Sequence, residues 1–138
     1  MPGPDFLDTN ILVYAYDASE PAKQRIAQGL VRRAVAGEMV ISTQVLAEFT
    51  ATLLHKLSPA ARPADVSAIL DALGPIKMIV PDADSIRRAV EAHAKYGVHF
   101  YDGMILAAAE RGDCARILSE DLNMGQSYFG ITVENPFA

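Results

Sequence analysis

The chain reads as an α/β domain of three layers, a short, mainly parallel central sheet of about four to five strands flanked by helices. Brief apolar runs of Ile, Val and Leu alternate with longer segments of helical period, the order that builds a parallel sheet covered on both faces. Hydrophobic residues make up 51% of the chain, with only five Phe and five Tyr among them, a balance that favours small aliphatic helices packed on a sheet. A length of 138 residues, with no internal repeat, low-complexity stretch or linker, suits one domain spanning residues 1–138.

Taken in order, Asp5 to Asp8 opens as a short strand. The apolar Ile11-Leu12-Val13-Tyr14 either continues it after a turn or begins a helix, since Asp8, Thr9 and Asn10 are all good N-cap types. A helix follows over residues 21–36, with Pro21 suited to its first turn and Gly37 to its stop. Met39-Val40-Ile41 is a brief buried strand, and Ser42 or Thr43 caps the next helix. That helix runs over residues 43–57 and sets Leu46, Phe49, Leu53 and Leu57 on one face. Ser58-Pro59 and Arg62-Pro63 mark a loop before a helix over residues 64–73. Met78-Ile79-Val80 forms a third strand, closed by Pro81, and residues 82–96 form a helix with Asp82 and Asp84 near its positive end. A helix over residues 102–111, a strand at Arg116-Ile117-Leu118 and a last strand at Ile131-Thr132-Val133 complete the pattern.

Composition narrows the function. No apolar run approaches the roughly 18 residues of a membrane span. The start of the chain carries Asp5 and Asp8 and no basic region, unlike a signal peptide. The single cysteine, Cys114, cannot form an internal disulfide and has no zinc-type spacing with the three histidines. A reduced, cytoplasmic protein is therefore expected. The net charge of −5 argues mildly against gripping nucleic acid by charge alone, although Arg25, Arg32, Arg33, Arg87 and Arg88 can form local basic patches. There is neither a Gly-rich phosphate loop nor a Ser-His-Asp arrangement.

Four acids stand apart from the solvated charges: Asp8, Glu48, Asp102 and Asp121, each at the edge of an apolar segment. Asp8 and Asp121 follow predicted strands, and ligands collect at the carboxyl ends of strands in such sheets. Asp102 shares a helix face with Ile105 and Leu106, so it is directed inward. Glu48 flanks the stripe containing Phe49, with Thr52 one turn on. Carboxylates gathered in one pocket lose hydration and repel one another, so they need protons or cations. A hard divalent ion such as Mg²⁺ or Mn²⁺ meets that need. Each acid also has a plainer reading: Asp8 as an N-cap, Asp102 as a first-turn acid, Glu48 as a solvated side chain, Asp121 as a loop cap. His99 invites a general-base role, but a loop histidine is more often a hydrogen-bonded surface residue. Asp5, Glu110 and Glu120 are expected to face solvent, with Glu120 able to reach the pocket rim.

The stretches that hold these acids are Phe6-Leu-Asp-Thr-Asn-Ile-Leu-Val-Tyr-Ala, Gln44-Val-Leu-Ala-Glu-Phe, Tyr101-Asp-Gly-Met-Ile-Leu-Ala-Ala-Ala and Leu118-Ser-Glu-Asp-Leu, with Asn135-Pro136-Phe137 at the close. Any one is weak, but in this order they resemble the PIN-domain family over nearly the whole chain, and within it the VapC-type ribonuclease toxins of toxin–antitoxin pairs. The resemblance implies a catalytic, metal-binding quartet of Asp8, Glu48, Asp102 and Asp121 that holds one or two Mg²⁺ or Mn²⁺ ions. It makes Asp8 and Asp102 the principal ligands, with Asp121 and Glu48 completing the shell directly or through water. Asn10 matches the polar residue that braces the first carboxylate, and Ser119 matches a small hydroxyl near the site. Tyr101 stands where many members carry Trp, and Gly103 departs from the usual helix former.

The same resemblance implies an RNA substrate, a small cognate antitoxin that blocks the site with a basic side chain, and a homodimer. Two rivals share the acids. A receiver-like signalling module also binds Mg²⁺ at a sheet edge, but it needs a lysine after its last strand, where Thr132-Val133-Glu134-Asn135 has none. A non-catalytic PIN-like RNA-binding or scaffold module usually lacks one or more of the four acids.

Overall fold

Phe6 and Leu7 are wholly buried, and the strand they form, β1 (Asp5–Leu7), occupies the middle of the sheet in a computed structural model that describes residues 3–138. On one side of β1 lie β2 (Met39–Ser42) and β3 (Lys77–Ile79); on the other lie β4 (Arg116–Leu118), β6 (Ile131–Glu134) and β5 (Ser127–Tyr128). The order β3-β2-β1-β4-β6-β5 is parallel throughout except for the β5–β6 pair. Phe6 aligns with Val40 on one neighbour and Ile117 on the other, so three buried apolar residues form a row across the sheet centre. A parallel sheet is stable only when both faces are covered, and six helices cover it.

These helices are α1 (Thr9–Ala15), α2 (Pro21–Val35), α3 (Thr43–His55), α4 (Pro63–Leu73), α5 (Ala83–Tyr96) and α6 (Phe100–Arg111). Helix α1 packs on α2 and α3, whereas α6 packs chiefly on α5. From Gly103 to Ala109 every residue of α6 is buried, so this helix runs through the core, which its small Gly and Ala side chains permit. The stripe on α3 behaves as expected at Phe49 and Leu53, both buried, while Leu46 and Leu57 are only partly covered.

The sheet has six strands, one more than the sequence suggests. The extra one, β5, has only two residues and pairs antiparallel with β6 across the turn Phe129-Gly130. Both turn residues have positive φ, 52° and 80°, the geometry of a tight hairpin in which glycine at the second position relieves strain. The open choice at Ile11–Tyr14 is settled as helix. Asp8 is extended at ψ 164° and its side chain accepts the Thr9 N–H, which caps α1 and halts the strand.

Several boundaries move by one or two residues. Strand β3 starts and ends one residue earlier than expected, leaving Val80 64% exposed. Helix α6 starts at Phe100 because the ring of His99 accepts the Tyr101 N–H at 3.2 Å. Cys114 is buried as a small apolar residue, and burial pushes its thiol up to about 12.

Candidate active site

The carboxyl ends of β1 and β4 lie side by side, since Leu7 pairs with Leu118 and the Asp8 N–H donates to the Leu118 carbonyl at 3.0 Å. Asp8 and Ser119 therefore leave the sheet together. Asp8 is only 5% exposed, with one carboxylate oxygen accepting the Thr9 N–H at 2.7 Å and the other accepting the Ser119 hydroxyl at 2.7 Å. Burial pushes its pKa up to about 6, aided by the charges of Asp121 and Asp102 and opposed by the two hydrogen bonds.

Ser119 is fully buried and is a hub. Its oxygen donates to Asp8 and accepts the N–H groups of Asp121, at 3.1 Å, and Leu122, at 3.3 Å. One hydroxyl thus fixes the first acid and folds the turn that carries the fourth. Asn10, expected to brace Asp8, reaches it only through Ser119, whose oxygen accepts the Asn10 amide at 3.4 Å, and it also braces the opposite side. Its amide nitrogen donates to Asp121 at 3.0 Å and its oxygen accepts the Glu120 N–H at 3.2 Å. The reason is positional: Asn10 sits in the first turn of α1, where its side chain faces the turn after β4, and Ser119 already holds Asp8.

Asp102 lies in the first turn of α6, half-buried. Desolvation raises its pKa, with nearby His99 lowering it and Asp121 raising it further. Glu48 reaches the cleft from α3, accepting the Thr9 hydroxyl at 3.1 Å and the Gln44 side-chain amide at 3.4 Å. The same Gln44 nitrogen donates to the Tyr101 carbonyl at 3.2 Å and so links α3 to the start of α6. Gln44 Oε1 is buried without a hydrogen-bond partner. Gln44 was not singled out by sequence; its one signal is a position four residues before Glu48, which places both on one helix face.

All four acids line a single cleft of about 490 Å³. Other acids near the motifs are neutralised differently. Glu120 accepts from the Tyr14 hydroxyl at 2.9 Å and from Lys23 at 2.8 Å, rather than facing solvent alone. Glu110 takes both arms of Arg88 at 2.8 Å, and Asp5 pairs with Arg116. Among the described residues, none of Asp8, Glu48, Asp102 or Asp121 forms an ion pair with Lys, Arg or His.

This donor set is all oxygen, anionic and unneutralised, which suits a hard cation. As the side chains stand, no three His, Cys, Asp or Glu groups among the described residues are close enough to hold one ion. The charges of Asp121 and Asp102 nevertheless act on Asp8, and that of Asp121 acts on Asp102, each raising the pKa of the acid it faces. An ion that takes one or two carboxylates directly and keeps several waters fits that spread, and this is the habit of Mg²⁺.

A short parallel sheet with an acidic cleft at its carboxyl edge places this chain among α/β proteins that gather their ligands outside the ends of the strands. The family model for the PIN domain matches residues 6–129, and the chain belongs to the PIN-domain family. PIN domains are generally nucleases. A chain of a "Toxin-antitoxin complex from Klebsiella pneumoniae" superposes with a TM-score of 0.68, covering 96% of this chain and 97% of that one at 18% identity. At that identity the likeness speaks for the fold. No curated protein sequence matches the chain significantly.

Proposed function

We propose that this chain is a metal-dependent endoribonuclease and the toxin of a VapC-type toxin–antitoxin pair. The observation that carries the proposal is the gathering of Asp8, Glu48, Asp102 and Asp121 in one cleft with, among the described residues, no Lys or Arg paired to any of them. Asp8 and Asp102 are the principal ligands in this reading, with Asp121 and Glu48 completing the shell directly or through water. Bound Mg²⁺ or Mn²⁺ supplies positive charge against the developing phosphorane and a water of lowered pKa.

The chain's own residues do the rest. Ser119 and Thr9 fix Asp8 so that it need not reorganise, and Asn10 does the same for Asp121. Glu48, held by Thr9 and Gln44, is placed to orient the attacking water and take its proton. The likeness to a chain from a toxin–antitoxin complex supports a small antitoxin as partner. An acidic cleft of this kind would accept a basic side chain from it. A homodimer and a cytoplasmic location are part of the same reading; among the described residues no helix is long and apolar enough to cross a membrane.

One observation favours the rival non-catalytic module: among the described residues no three acids close on a single point. Membership of the PIN family removes the receiver-like reading. Inducible expression in bacteria, comparing wild type with Asp8→Asn and mapping RNA ends that bear 5′-phosphates, decides between the other two. Growth arrest with discrete new ends, absent in an equally abundant mutant, supports the nuclease. Identical end maps for the two proteins would point to the non-catalytic module.

A further inference from the structure

The cleft is lined by more than its four acids, and two of its other residues, Tyr101 and Lys56, lie well apart. At one end stands Tyr101, a large aromatic residue left 57% exposed beside Asp102. Its ring lies nearly parallel to that of His99, at 25° and 5.8 Å between centroids, and Phe100 supports it edge-on at 5.2 Å. The Gln44 hydrogen bond to the Tyr101 carbonyl pins this aromatic corner against the start of α3. Neighbouring rings thus hold Tyr101 at the rim, while among the described residues its hydroxyl has no hydrogen-bond partner and its outer face stays exposed.

At the other end stands Lys56, the C-cap residue of α3. It is exposed, it is the one cationic side chain among those lining the cleft, and it forms no ion pair among the described residues. Asp17 lines the same end, where one of its carboxylate oxygens accepts the Ser19 N–H and hydroxyl and the group keeps its negative charge. Glu48, Thr52 and Lys56 recur every fourth residue, so they share one helix face, and all three line the cleft. Gln44 and Lys56 are twelve positions apart, which at the helical rise separates them by about 18 Å along α3, with Glu48 between them.

We infer that this cleft is a track for single-stranded RNA, in which an unpaired nucleobase stacks on Tyr101 while Lys56 grips a backbone phosphate on the far side of the cutting point. The inference rests on the ribonuclease reading and adds to it the subsite that selects the strand. Base stacking on an exposed tyrosine needs a base free of its neighbours, which loops and single strands offer and duplexes do not. In a chain of charge −5, one cation at the end of the acidic cleft holds the strand in register without neutralising the acids.

Anisotropy of a fluorescein-labelled, mixed-sequence single-stranded RNA and of its duplex tests this between about 50 and about 200 mM KCl, with Ca²⁺ present to suppress turnover. Tyr101→Ala should weaken single-strand binding by roughly ten- to hundredfold, Tyr101→Trp should restore it, and duplex binding should be unmoved. Lys56→Ala should reduce the slope of log affinity against log salt by about 0.7, while Lys56→Arg keeps it and the Tyr101 variants leave it alone. Both positions are exposed, and unchanged melting curves confirm that the variants are folded. Undiminished single-strand binding by Tyr101→Ala, or an equal loss on duplex, overturns the track while leaving the nuclease reading intact. A wild-type protein that neither binds nor cuts RNA overturns both.

Discussion

Gly103 of α6 lies so close to Ala89 of α5 that a methyl group there would stand 2.7 Å from the Ala89 carbonyl oxygen and 3.2 Å from its Cα. Glycine in a helix looks like a weakness from sequence alone. Here it is the point at which two helices meet backbone to backbone, one residue after Asp102, and the contact sets how far Asp102 projects into the cleft.

Gly103→Ala is therefore expected to destabilise. The alanine gains about 1 kcal/mol of helix propensity, but it meets rigid backbone rather than a movable side chain, and overpacking of that kind costs about 1–3 kcal/mol or more. The urea midpoint should fall and cleavage should fall with it. A higher midpoint would show that the helices separate freely and that the packing argument is wrong.

The pKa of Asp8 sets a pH dependence. In the fold it is raised to about 6 from an unfolded value of 3.8, so between those values the folded chain holds a proton that the unfolded chain has released. Its contribution to stability is present in full below the unfolded value and is lost as pH rises through about 6, a change of about 3 kcal/mol. Metal-free wild type should lose stability across that window, and Asp8→Asn should lose much less. Parallel pH profiles for the two proteins would place the buried charge elsewhere.

Ser119→Ala removes the donor to Asp8 and leaves the Asp121 and Leu122 amides without their acceptor. The expected cost is about 1–3 kcal/mol. Because the Ser119 hydrogen bond holds the Asp8 pKa down, its loss should move that pKa further up. Carboxyl ¹³C titration by NMR reads the shift directly, and an unmoved Asp8 resonance would mean that another group supplies the bond.

Cation binding should stabilise the fold, since it relieves the repulsion among Asp8, Asp102 and Asp121. At hundredfold excess over Kd the gain is about 2.7 kcal/mol. Thermal melts with Mg²⁺ or Mn²⁺ should rise for wild type and rise much less for Asp102→Asn, and chelation should end RNA cleavage. Cleavage that survives chelation would contradict the metal reading.

A homodimer is expected without antitoxin. Light scattering at micromolar concentration checks it, and a monomeric mass counts against it.

The element order was legible because strands and helices differ in period, and Pro21, Gly37 and Pro81 punctuate them. Strand β5 was not, because two residues cannot show alternation; its trace in sequence was Gly130, which gives a turn without naming its partner. The four acids were visible as carboxylates at apolar edges. Their supports were harder to read, since the role of Asn10 depends on which side of the β1–β4 seam its amide faces. That of Gln44 depends on a contact with Tyr101, 57 residues away.

Asp8 and Ser119, like Asn10 and Asp121, are joined across 111 residues of chain. The acidic centre cannot ripen piecemeal: until β4 slots in beside β1, the first acid has neither its hydroxyl clamp nor its fourth partner. Loop closure over such a span makes this a late event in folding. A nascent or partly unraveled molecule thus lacks the assembled cleft, and under the proposed ribonuclease reading it would spare RNA until the last strands dock.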